Sequence, residues 1–271
     1  MQKNTPISPA HAVTEPESAV RHGLTEDGFL NGRLRILQPE KGFRAGIDSV
    51  FLAATIPCAS GETVFEAGIG TGVAALCLAA RVPNIKITGV EVSGRYAMIG
   101  HQNAVNNGFG DSISYITGDV KDAMRRDLVD WPPHGSFNHA FANPPYFDDS
   151  KISKSPSSLK AVANGFGSDD LELWVKVLAT MVSHRGTVTI VHRADALGQL
   201  LTAMESRFGD IRVAPLHTRP GMAATRVIVQ GIKSSKGPLQ LLPGLILHSD
   251  GNEFTSDANA ILRGGLAWRL R

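Results

Sequence analysis

The four residues Asn143-Pro144-Pro145-Tyr146 are the part of this chain best equipped to do chemistry. An amine attached to an aromatic ring or to a carbonyl has its lone pair delocalised, so it is a poor nucleophile. Two acceptors that take its two hydrogens hold the nitrogen in line and favour the positive charge that builds there as it attacks. The Asn143 side-chain oxygen is one such acceptor, and the Pro144 carbonyl is a natural second. Pro144 and Pro145 fix φ, so these acceptors need little rearrangement during reaction. Tyr146 offers a flat face on which a planar substrate stacks, with Phe147 next to it. By turn chemistry alone, Asn-Pro-Pro reads equally well as a loop breaker after a strand. The residues upstream separate the two readings.

Glu66-Ala67-Gly68-Ile69-Gly70-Thr71-Gly72 reads as a glycine loop joining a strand at 63–66 to a helix at 73–81. Gly68, Gly70 and Gly72 permit tight turning and close approach of the backbone to a ligand, and helix N-terminal amides can bond it. Gly70 to Ala75 even fits the dinucleotide pattern G-x-G-x-x-A. Glu66 favours S-adenosylmethionine instead, because an acid suits the cationic amino-acid end of that methyl donor and repels a pyrophosphate. Glu91 ends the next strand, where a carboxylate takes both ribose hydroxyls, a role shared with nicotinamide-binding folds. Asp119 follows the third strand, placed to accept from the adenine amino group of the donor. Each acid has an ordinary alternative as a helix cap or solvated turn residue. Three acids at successive strand ends, with Asn143 after the fourth, are harder to assign to chance. Ligands of open α/β sheets bind outside those ends. The expected chemistry is methyl transfer to a planar NH₂, with Asn143 facing both donor and substrate and with no strong general base.

The elements that must position these residues alternate. Strands are expected at 63–66, 85–91, 113–117 and 137–142, with helices at 73–81, 95–106 and about 120–128 between them. Beyond the Asn-Pro-Pro-Tyr motif, Leu171, Trp174, Val175 and Leu178 mark one face of a helix at 171–183. A strand at 187–191, a helix at 194–207 and strands at 211–216 and 226–232 follow, the last two inviting an antiparallel hairpin at the sheet edge. The predicted fold is α/β: a Rossmann-like, seven-stranded, mostly parallel sheet with the last strand antiparallel and helices on both faces. Upstream, Leu30 to Gln38 suggests a short strand or hairpin. Asp48 is read as the cap of a helix reaching about Ala54.

With 271 residues the chain can bury a full core, and its 42% hydrophobic content is ordinary for a globular protein. Residues 1–24 form an expected disordered lead-in, rich in Pro, Ser, Thr, Glu and His with no signal-like apolar stretch, and residues 25–271 one domain. No apolar run is long enough for a membrane span. Cys58 and Cys77 lack metal or redox spacing and are read as reduced core residues, in keeping with a cytoplasmic protein. The nine histidines show no metal spacing, so no metal site is expected. A formal net charge of +2 announces no global basic field, so any nucleic-acid contact must come from a local patch. Lys151, Lys154 and Lys160, in a Ser-rich stretch after the motif, are candidates for phosphate contacts or simply a solvated loop. Arg193, Arg219 and Arg226 are candidates for extending a basic rim. Arg44 and Asp48 could close over the methionine end, Asp48 on the donor side and Arg44 on the substrate side.

Glu66 to Gly72, Glu91, Asp119 and Asn143 to Tyr146 together resemble the class I methyltransferases that modify exocyclic amines. More narrowly, Gln38-Pro39-x-x-Gly42-Phe43-Arg44-Ala45-Gly46-Ile47-Asp48-Ser49-Val50-Phe51-Leu52-Ala53 resembles the segment preceding the glycine loop in bacterial tRNA adenine-N6 methyltransferases. Those enzymes modify the adenine next to the anticodon of a valine tRNA. Val191-His192-Arg193, Arg226 to Gly231 and Leu242 to Thr255 are similar to the same group. The resemblance implies a tRNA partner and an adenine stacked on Tyr146 and Phe147. One departure is Ala163-Asn164-Gly165-Phe166, where relatives often carry a basic stretch. Methylation of ribosomal RNA or of a protein glutamine shares the same motif, and a catalytically silent binding module is the alternative of another class.

Overall fold

The computed structural model describes residues 23–129, 131–145, 169–249 and 251–271. The expected lead-in up to residue 22 lies outside these, as do Tyr146, Phe147, Lys151, Lys154, Lys160 and residues 163–166. The described chain opens with an antiparallel hairpin, β1 (Leu24–Phe29) and β2 (Leu34–Pro39). Leu30, which the sequence places in a short strand or hairpin, enters the hairpin's turn with Asn31 and Gly32, all three at positive φ. Asn and Gly tolerate that region better than other residues, so the reversal falls here.

α1 (Ile47–Thr55) follows, then the alternating units β3 (Thr63–Ala67), α2 (Val73–Arg81), β4 (Lys86–Glu91), α3 (Gly94–Asn106), β5 (Ile113–Thr117) and β6 (Phe137–Ala142). The second half contains α4 (Asp169–Met181), β7 (Val182–Arg193), α5 (Leu197–Glu205), β8 (Phe208–His217) and β9 (Ala224–Lys233). Two-residue strands β10 (Gln240–Leu241) and β11 (Leu245–Ile246) and the helix α6 (Ser256–Leu262) complete it. The main sheet runs β5-β4-β3-β6-β7-β9-β8, with β10 and β11 beside β8. Only β9 is antiparallel to its neighbours.

The seven expected strands and the reversed last one are therefore present. The expected antiparallel hairpin at the sheet edge is formed by β8 and β9, with β9 lying between β7 and β8. One detail differs. The segment after β5 makes a single 3-10 turn at Val120–Met124 instead of a longer helix. Asp119 caps that turn through Lys121 N, and Arg125 leaves it in an extended conformation.

Side-chain alternation sorts the strands onto two apolar layers. Val64, Phe141, Val191 and Ile228 face the layer holding α1, α2 and α6. Phe65, Ala67, Ala140, Ala142, Ile190 and Val229 face α4 and α5. Burial on both faces is what a parallel sheet requires. Leu171, Trp174, Val175 and Leu178 are all buried on α4, as their spacing predicts.

Asn103 fastens the hairpin to this framework. Its Oδ1 accepts from Leu37 N at 2.8 Å, and its Nδ2 donates to Leu37 O at 2.9 Å and to Thr71 O at 3.0 Å. It is fully buried, so no water replaces these bonds. We expect Asn103→Ala to lower the unfolding free energy by about 3 kcal/mol, because three buried backbone groups lose their partner. Urea unfolding checks this, and a change under about 1 kcal/mol contradicts it.

Candidate active site

One rung of the sheet sets the site. Ala142 of β6 pairs with Ala67 of β3, Ala67 with Val90 of β4, and Val90 with Ile116 of β5. The residues just past this rung are Asn143, Gly68, Glu91 and Thr117, with Asp119 two further on. At about 4.8 Å per strand they span roughly 15 Å along one edge. On the other side of β6, Ala142 pairs with Ile190, which carries Val191, His192 and Arg193 beyond the same level.

The glycine loop leaves β3 and turns into α2. Ile69 N donates to Val90 O at 3.0 Å, which ties the loop to β4. Gly70 has φ +57°, and a Cβ built there would meet nothing within 4 Å. Its side of the loop is open, so a ligand can approach the backbone closely. Below the loop, the Trp174 ring from α4 lies 2.7 Å from an ideal Cβ on Gly68, so only glycine fits above it.

Glu91 lies against this loop. One of its oxygens accepts from Gly70 N at 3.0 Å and the other from Ser93 N at 2.8 Å. Burial raises its pKa, against the lowering effect of amides of Ser93, Gly70 and Val92. Each carboxylate oxygen has a further lone pair for a ligand hydroxyl. Val92, half-exposed at 54%, puts an apolar surface next to Glu91. Sequence reasoning missed it, because a lone valine after a strand carries no signal until its exposure is known.

Glu66 is 3% exposed and sits beneath the loop rather than on its surface. It accepts from the Ala75 amide, while Oε2 has no hydrogen-bond partner among the described residues. Burial first, and the charge of Glu91 after it, push its pKa well above the usual carboxylate value. An orphaned buried acceptor of this kind suits a cationic donor. Asp119 accepts from Lys121 N at 3.0 Å and pairs with Lys121 Nζ at 2.9 Å, so its cap role is realised.

Asn143 Nδ2 donates to Ser49 Oγ at 3.3 Å. That contact ties the Asn143 side chain to α1. Ser49 is buried in the first turn of α1 and went unnoticed within the Gln38–Ala53 segment. Pro144 is buried and Pro145 half-buried behind it. His192 is buried at 9% exposure, and that burial lowers its pKa, so the imidazole is neutral near pH 7.

One expectation is corrected. Asp48 does not cap α1: Gly46 holds that position, and Asp48, in the first turn, accepts from Arg226 Nε at 3.0 Å. Arg44 is bound to the hairpin through Thr25 Oγ1 at 2.6 Å, Pro39 O at 2.8 Å and Asp27 Oδ2 at 2.5 Å. The candidate rim arginines are likewise engaged, Arg193 with Asp195, Arg219 with Ser249 O and Asn252, and Arg226 with Asp48.

No family model matches the chain. Among curated proteins it is 26% identical over 215 residues to a tRNA1(Val) (adenine(37)-N6)-methyltransferase of Bacteroides thetaiotaomicron, covering 78% of this chain and 86% of that one. A protein of the same name from Porphyromonas gingivalis is 28% identical over 214 residues, covering 76% and 80%. The chain is a homologue of these methyltransferases. Its fold agrees: a predicted O-methyltransferase of Agrobacterium tumefaciens superposes with a TM-score of 0.68 at 25% identity, covering 82% of this chain and 98% of that one. In this chain the glycine loop, the acid after β4 and the Asn-Pro-Pro turn stand at one sheet edge.

The buried Glu66 carries a pH signature. Its folded pKa lies above the ordinary 4.5, so its contribution to stability is present below 4.5 and lost as pH rises through the folded value. In ligand-free protein, Glu66→Gln is expected to gain in thermal midpoint relative to wild type as pH rises from 4.5 to about 8. Parallel melting curves for the two proteins over that range would contradict the assignment.

Proposed function

We propose that this protein transfers a methyl group from S-adenosylmethionine to the N6 amine of an adenine in tRNA. Asn143, oriented by Ser49 at the end of β6 and level with the glycine loop, carries the reading. The activity for which the tRNA-modifying homologues are named supports the substrate class.

Bound along the strand ends, S-adenosylmethionine supplies an electrophilic methyl group. Glu66 takes its ammonium end, the Gly68–Gly72 loop its amino-acid portion, Glu91 the ribose hydroxyls and Asp119 the adenine amino group. Asp48, one residue from Ser49 and paired with Arg226, steadies the turn of α1 that holds Asn143. Asn143 Oδ1 and the Pro144 carbonyl accept the two hydrogens of the substrate amine. Pro145 limits the freedom of that turn. Tyr146 and Phe147 stack the flipped base, worth about 1–3 kcal/mol per base. Lys151 and Lys154 meet RNA phosphates; Arg44 serves through the hairpin it fastens. No strong base is needed, because the amine proton leaves readily once the nitrogen is positively charged. Positioning and fixed dipoles account for the rate. The reading places the protein in the cytoplasm, with residues 25–271 as one catalytic unit.

The O-methyltransferase named for the Agrobacterium relative is the second reading. A hydroxyl has one hydrogen, so the paired acceptors Asn143 and Pro144 favour an amine. The test is incubation of the protein with unmodified tRNA and labelled donor, followed by nucleoside mass spectrometry. N6-methyladenosine is expected. A ribose-methylated nucleoside favours the second reading, label in glutamine or ribosomal RNA moves the substrate, and no transfer to any of these favours a silent module.

Asn143→Ala is expected to reduce transfer about 10²–10³-fold while donor affinity stays within about twofold. Ser49→Ala should give an intermediate loss of about tenfold in kcat with KM for the donor unchanged. For Glu91→Ala, calorimetry should show donor binding weakened about tenfold or more, since two charge-assisted bonds are lost.

A further inference from the structure

Away from the strand C-termini, a cavity of about 380 Å³ opens between the end of α1, β8, β9 and residues 267–271. Arg81, Arg212, Arg269 and Arg271 line it, and no described lining residue is acidic. The first two are held rigidly. Arg81 Nη2 donates to Ala53 O at 2.9 Å and Ile56 O at 2.7 Å, and Arg212 Nη1 donates to Leu270 O at 2.9 Å. Each also has a buried Nε without a hydrogen-bond partner among the described residues. Burial lowers the pKa of Arg81, and the charge of Arg269 adds to it.

Guanidiniums that share one cavity with no acidic side chain among its described lining residues are stabilised by an anion. Their planar forks match phosphate oxygens in pairs. A cation is disfavoured here. Cys58, on the same wall, lies with Glu62 and His139 so that their ligand-type atoms fall within 4.8 Å of one another. His139 Nε2 and Glu62 Oε2 are 2.9 Å apart, closed by a hydrogen bond, whereas a tetrahedral zinc holds its ligand atoms roughly 3.3–3.5 Å apart. The charge of Arg81 also acts on Cys58.

We propose that this arginine-lined cavity binds a phosphate group. It has two possible sources, a backbone phosphate of the RNA substrate or a free phosphate compound such as a mononucleotide. The RNA source rests on the function proposed above; phosphate binding itself does not. The cavity is tied to the active site by α1, which carries Ser49 near one end and Ala54 and Thr55 at the other, about 8–9 Å of helical rise away.

The test is calorimetric titration of the full chain with inorganic phosphate, with filter binding of unmodified tRNA over a range of salt. Arg269→Gln/Arg271→Gln is compared with wild type, because both residues are exposed and the variant should fold. Arg212→Gln is the second variant. Phosphate affinity is expected to fall about tenfold or more in both, with affinity for S-adenosylmethionine unchanged. If RNA is the source, tRNA affinity falls as well, and the slope of log K against log salt becomes shallower by about 0.7–0.9 per arginine removed. If phosphate affinity falls and tRNA binding does not, the source is a free phosphate compound. Phosphate and tRNA affinities that both match wild type in both variants overturn the proposal. Phosphate titration needs no methyl transfer, so a failure of the proposed function leaves this outcome readable.

Discussion

Parallel pairing in one register across β6, β3, β4 and β5 is the constraint from which the site follows. Because Ala142, Ala67, Val90 and Ile116 share a rung, the chain leaves four strands at one level and delivers Asn143, the glycine loop, Glu91 and Asp119 to a single edge. A slip of one residue in any strand would turn its side chains to the opposite face. Phe65 and Phe141 would then exchange layers with the smaller residues beside them. The apolar packing on both faces therefore fixes the chemistry at the edge as well as the stability of the sheet.

The edge is held ready by contacts within the protein. Glu91 binds the Gly70 amide, Trp174 supports Gly68 from below, and Asn103 joins the loop at Thr71 to the N-terminal hairpin. Ser49 does the same for Asn143. These contacts come from α1, α3, α4 and β4, so the site depends on elements on both sides of the sheet. The cost is borne by buried carboxylates. Glu66 and Glu91 both have raised pKa values in the absence of a ligand, and a cation brought to Glu66 relieves that.

Charge is distributed unevenly behind a small net value. Arginines that the sequence suggests as a rim near the strand ends are engaged in holding turns and helix starts, as with Arg226 on Asp48 and Arg219 on Ser249. The arginines that share a cavity with no acidic side chain among its described lining residues come instead from 81, 212, 269 and 271. Linear distance hides that grouping, because α2, β8 and the end of the chain meet only after the sheet forms.

Much was legible in the residue order. Glycines at 68, 70 and 72, acids after consecutive apolar strands and Asn-Pro-Pro at 143–145 are local patterns, set by φ preferences and by side-chain period. They determined the α/β alternation, the reversed last strand and a ligand edge suited to methyl transfer. Where the sequence erred, the deciding contact was remote. Asp48 looked like a cap until Arg226, 178 residues away in the chain, claimed it. Ser49 had no signal of its own within the Gln38–Ala53 segment, and Val92 and the arginine cavity had none, since orientation, exposure and the grouping of like charges exist only between segments brought together by folding. By itself the sequence determined which chemistry the edge can do; the tertiary structure decided which side chains stand close enough to support it.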